Sequence, residues 1–136
     1  MTHRIEWRSA FDNRALNELH GEAFEHPIFD DDWVSQVTAR SLGWVCAWDD
    51  EGDLVGFVNL PWDGALHAWI IDTIVSPAAS RRGLGTAMVA LATERARAAG
   101  CDWLHVDFED DLRPFYYGAC GFTPTNGGLI NLKATK

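Results

Sequence analysis

The run Ser80-Arg81-Arg82-Gly83-Leu84-Gly85-Thr86 places two cations ahead of two glycines, where strand-like residues give way to helical periodicity. Glycine lets a backbone approach a ligand closely. The first amides of a helix have no partner within it, and with the helix dipole they form an anion site. Arg81 and Arg82 add charge where a pyrophosphate would lie. Two other phosphate motifs do not fit. A P-loop needs a lysine that this run lacks, and a dinucleotide fingerprint needs a third glycine where Met88 stands.

Asp72 is the next candidate. It is flanked by Ile70, Ile71, Thr73 and Ile74, and an unpaired carboxylate in such a strand is costly to bury. It needs either a task, such as taking a proton, or a hydrogen-bonding partner. His105 and Asp107 alternate onto one strand face and could pair, although a satisfied core histidine is the simpler use. Two ligands alone do not make a metal site, and no metal is expected. His67, Glu109 and Asp110 rank lower, as surface residues. Trp33, Trp44, Trp62 and Trp69, among seven tryptophans, could fill the core or line a pocket for a cation. Cys46, Cys101 and Cys120 are odd in number and form no C-x-x-C, so free buried thiols are expected.

The elements that position these residues follow from pattern. Thr2 to Arg8 reads as a short strand. Asp12 is an N-cap for a helix through Ala15, Leu16, Leu19 and Ala23. Asp30-Asp31-Asp32 opens a second helix through Trp33, Val34, Val37 and Leu42, with acids where the dipole favours them. Strands over 43–48 and 54–60 flank an acidic turn and form a hairpin. A strand over 66–75 ends at Pro77, and a helix over 83–99 stops at Gly100. A strand over 102–108, a helix over 112–119 and two weak strands, around Phe122 and over 129–132, complete the chain. The order is that of one mixed α/β domain spanning residues 1–136.

Strand, Val75-Ser76-Pro77, then Arg81-Arg82-Gly83-Leu84-Gly85 opening a helix resembles motif A of the GNAT superfamily of N-acetyltransferases. Ser80 departs from the Gln or Arg usual in the first position of that motif. Tyr116-Tyr117-Gly118-Ala119-Cys120-Gly121-Phe122 is similar to the same superfamily's F-Y-x-x-x-G-F segment. The resemblance covers residues 43–122 well and the first forty poorly. It implies a central, mostly antiparallel sheet whose fourth and fifth strands run parallel and splay apart to admit acetyl-CoA. It further implies cofactor contacts at Thr73, Ile74, Val75, Arg81, Arg82, Gly83, Leu84, Gly85 and Thr86, with the Val75 amide on the thioester carbonyl. Tyr117 takes the place of the general acid and Asp72 that of a candidate base. A primary amine on a small molecule or peptide would be the acceptor, and a homodimer is the usual assembly. Two readings stay beside this one: a non-catalytic acyl-CoA-binding module, and a transferase for a longer acyl group.

A net charge of −9 over 136 residues disfavours nucleic acid as a partner. It suits a cationic substrate, and it equally serves solubility. No apolar run reaches membrane-spanning length, and the first residues lack a signal-peptide core, so a cytoplasmic location is expected.

Overall fold

A computed structural model describes residues 3–80 and 82–133. These fall into two compact units, Met1–Val106 and Asp107–Lys136.

The first unit is a five-stranded sheet in the order β1-β2-β3-β4-β5, built from β1 (Arg4–Trp7), β2 (Ser41–Trp48), β3 (Leu54–Pro61), β4 (His67–Val75) and β5 (Trp103–Val106). The first four are antiparallel to their neighbours, and β5 lies parallel to β4. Helices α1 (Asn13–Phe24), α2 (Trp33–Arg40) and α3 (Leu84–Ala98) flank it.

Both early helices start where the sequence predicts. The Asp12 carboxylate accepts from the Ala15 amide, and Asp32 accepts from Ser35. Each such cap is worth about 1 kcal/mol. Leu16 and Leu19 of α1, with Trp33 and Val37 of α2, pack on Trp44, Cys46, Phe57 and Ile74 of the sheet. The connection between the helices is fastened by Asn17. Its Oδ1 accepts from Trp33 Nε1, and its Nδ2 donates to the Asp31 carbonyl. Buried Leu84, Met88, Val89, Ala92 and Ala96 give α3 its apolar stripe. A Cβ on Gly56 would sit 2.8 Å from Met88 Cε, so glycine is what lets α3 lie this close to β3.

Three boundaries differ from the sequence reading. The second helix stops at Arg40, and Leu42 belongs to β2, because Ser41 already pairs with Pro61 across the sheet. In the second unit, the expected helix over 112–119 is a short turn at Asp110–Leu112 followed by a wide helical segment, Pro114–Ala119, closed by Cys120 N–H on the Phe115 carbonyl at 2.8 Å. The two strands expected near Phe122 and over 129–132 do not form among the described residues. Gly127 and Gly128 give no pleated surface to pack, and Leu129, Ile130 and Leu132 are 85%, 85% and 92% exposed. Among the described residues no helix is long and apolar enough to cross a membrane.

Candidate active site

β4 carries the site. Against β3 its register runs Phe57 with Ile74 and then Asn59 with Ile71, so three steps on β4 face two on β3. The extra residue is a β-bulge, and Asp72 absorbs it with φ of +54°. Aspartate tolerates this left-handed region better than most residues, and the cost needs support from its surroundings. Support comes from Asn59, which is 1% exposed: its Nδ2 donates to Asp72 Oδ2 at 3.1 Å, and its own Oδ1 accepts from Ser41 Oγ. Asp72 therefore has the partner that its apolar neighbours require. The sequence reading passed over Asn59, although one amide inside Leu54–Leu60 is a visible signal.

On the other side, the parallel ladder with β5 runs from His67 with Trp103 to Ile70 with Val106. β4 continues through Ile71–Val75 beyond that ladder. Thr73 Oγ1 is buried and lacks a hydrogen-bond partner among the described residues. Ile74 is core, facing Phe57, and Val75 pairs with Gly56.

The chain leaves β4 through Ser76 and a short turn at Pro77–Ala79, then enters α3 at Gly83. Gly83 has φ of +75° and makes no side-chain cap, so Leu84, Gly85 and Thr86 begin the helix with amides that lack helical acceptors. A Cβ on Gly83 would meet nothing within 4 Å. Arg82 is exposed, and Arg81 lies outside the described residues. Because Met88 packs on Gly56, and Gly56 pairs with Val75, the first turns of α3 lie near the end of β4.

The sequence profile of the GNAT acetyltransferase family matches residues 3–122. The chain belongs to that family. Solved structures agree on the fold. A GNAT acetyltransferase from Streptococcus pneumoniae is 20% identical, covers 97% of this chain and 100% of its own, and superposes with a TM-score of 0.74. Glucosamine-6-phosphate N-acetyltransferase from Arabidopsis thaliana is 13% identical, with coverages of 98% and 100% and a TM-score of 0.78. AAC(6')-Iy, in complex with the bisubstrate analogue CoA-S-monomethyl-acetylneamine, is 19% identical, with coverages of 99% and 100% and a TM-score of 0.75. No curated protein sequence matches.

In this GNAT chain, Tyr117 lies in the second unit on the wide segment Pro114–Ala119. Helical turns of this kind occur often at functional sites. Tyr116 is buried, stacked on Phe108 at 4.7 Å, whereas Tyr117 is half-buried, with the Arg113 guanidinium 5.5 Å from its ring centre. The two adjacent tyrosines therefore divide into a packing ring and an accessible one.

Other candidates find structural roles. Trp33 and Trp44 are core residues. His105 Nε2 bonds His67 Nδ1 at 2.8 Å, and both rings stack with Trp69. The three cysteines are free. Burial pushes the Cys46 thiol up to about 12, so it is inert as a nucleophile at neutral pH.

Proposed function

We propose that this GNAT family member transfers the acetyl group of acetyl-CoA to a primary amine on a small molecule or peptide, with residues 1–136 acting as one transferase domain. The observation that carries the reading is the β4 bulge at Asp72, together with the stretch Ile71–Val75 that runs past β5. Main-chain groups of a strand are free to bind a ligand only where the ladder has let them go.

The chain's groups fit such a cosubstrate. The orphaned Thr73 Oγ1 and the backbone of Thr73, Ile74 and Val75 suit an amide-bearing arm. The amides of Leu84, Gly85 and Thr86, with Gly83 leaving open space before them, suit a pyrophosphate, and Arg81 and Arg82 would add charge there. When bound, acetyl-CoA supplies an activated acyl carbon and a thiolate leaving group. The Val75 N–H would donate to the thioester oxygen, and such a donor is worth about 10²–10³ in rate. Tyr117 gives the leaving sulfur its proton, a role that rests on its motif and on its accessibility. Asp72 offers the carboxylate that draws an ammonium group to the strand.

Calorimetry with acetyl-CoA tests the reading, with Gly83→Asp as the control. Binding that the substitution weakens about tenfold or more supports it, and an amine panel is then assayed for thiol release. Turnover lost in Tyr117→Phe with binding retained assigns the acid. Binding without turnover for any amine would favour a sensor, tighter binding of longer acyl-CoAs would change the donor, and no binding would remove the proposal.

A further inference from the structure

The end of α1 and the loop after it hold two imidazoles, His20 and His26, that acetyl transfer, as described above, leaves unused. His20 Nδ1 lies 2.5 Å from His26 Nε2, and His26 Nδ1 lies 2.6 Å from the Pro27 carbonyl oxygen. A carbonyl only accepts, so His26 Nδ1 carries a proton. In the neutral pair His26 Nε2 is then an acceptor, and the proton between the rings sits on His20 Nδ1. This leaves His20 Nε2 as the bare, basic nitrogen.

The ring is held in place. Phe24 meets it edge-on at 4.8 Å, and Trp33 of α2 lies 5.7 Å from it. Two residues further along the same helix, Glu22 accepts from Ser76 Oγ at 3.1 Å, which ties α1 to the end of β4. Three titratable groups act on His20 electrostatically: His26 from the loop after α1, Asp72 from the β4 bulge, and Asp31 ahead of α2. Burial and the His26 ring lower its proton affinity, and the two carboxylates oppose them. The imidazole is thus favoured neutral while it stays within the field of Asp72.

We propose that His20 is the base of the amine acetylation: its Nε2 takes a proton from the acceptor's ammonium group, and His26 is the positioning residue that holds Nδ1 protonated. The inference rests on the amine-acetylating reading above. One N–H bond of the ammonium breaks, the electron pair stays on nitrogen, and His20 becomes an imidazolium that shares its Nδ1 proton with His26. The proton returns to solvent through the partly exposed imidazoles after product leaves. The Asp72 charge steadies first the ammonium and then the imidazolium.

Nitrogen-15 spectra of the labelled wild-type protein test the arrangement without any turnover. The expected result is a protonated Nδ1 and a bare Nε2 on both rings at neutral pH; a protonated Nε2 on His20 overturns the proposal. The second arm measures kcat against pH for wild type, His20→Asn and His20→Gln, with thermal unfolding to confirm that each variant is folded. Loss of about 10²-fold or more in kcat and of the acidic limb, with acetyl-CoA affinity unchanged, supports it. Unchanged kcat and an unchanged limb in a folded variant overturn it alone. If the wild type binds no acetyl-CoA, the parent reading fails and this inference falls with it.

Discussion

Substituting Asp72 separates the bulge's geometry from its charge. Asp72→Asn keeps a side chain that tolerates φ of +54° and still accepts from Asn59 Nδ2. Its stability should stay within about 0.5 kcal/mol of wild type. Asp72→Val loses on two counts. A β-branched residue in the left-handed region costs about 1–2 kcal/mol. The Asn59 amide, in a residue 1% exposed, loses its partner, at a cost of about 1–3 kcal/mol. The sum, about 2–5 kcal/mol, lowers Tm by roughly 8–20 °C at about 4 °C per kcal/mol for a domain of this size. Thermal unfolding followed by circular dichroism reads both variants, and thiol release reads their activity. Asp72→Asn should unfold like wild type yet acetylate more slowly, since it no longer attracts an ammonium. If Asp72→Val lies within 1 kcal/mol of wild type, the bulge is not held as described. If Asp72→Asn is fully active, the carboxylate charge has no part in the chemistry.

Three other outcomes are expected. Gly83→Ala meets no steric obstacle but must hold φ of +75°, which costs about 1 kcal/mol in chemical denaturation; a stability equal to wild type would contradict the backbone geometry. A thiol reagent should leave Cys46 untouched in the native protein at neutral pH and titrate all three cysteines once the chain is unfolded; rapid labelling of Cys46 in the folded state would refute its burial. His20 binds its proton less tightly folded than unfolded, so stability should be fully present above the ordinary imidazole value of 6.5 and decline as pH falls below it. Denaturant midpoints for wild type and His20→Asn, measured from pH 7 to pH 5, check the sign. If the two fall alike, the imidazole is not the source.

Much of the scaffold was legible because its signals are local. Asp12 and Asp32 cap helices at the first position where an apolar period begins, and Pro77 and Gly100 end the elements before them. The start of α3 was legible for the same reason, as Gly83 and the first helical residue are adjacent in sequence. What escaped is set by pairing across distance. Ile70-Ile71-Asp72-Thr73-Ile74 gives no hint of which residue is extra until β3 is laid beside it. Leu42 completes a helical period, yet the ladder with β3 claims its neighbours. His20 and His26 are six apart, a spacing that no helix brings together, and they meet only because the chain reverses at Glu25, with φ of +56°. Leu129 to Leu132 alternates like a strand but brings no covering surface, and composition alone did not reveal that.

The bulge also bears on which other strands β4 can accept. A strand that runs past its neighbour presents free amides and carbonyls at regular intervals, a template on which any passing extended segment can extend the sheet. The stretch Ile71–Val75 has the apolar, β-branched character that makes such additions adhesive. Asp72 breaks the repeat at its centre, turning the backbone out of the extended region and placing a charge there. A foreign strand could match the ladder on one side of that residue but not on both. The irregularity thus closes β4 to a long partner strand, and reverting the bulge would be expected to promote aggregation.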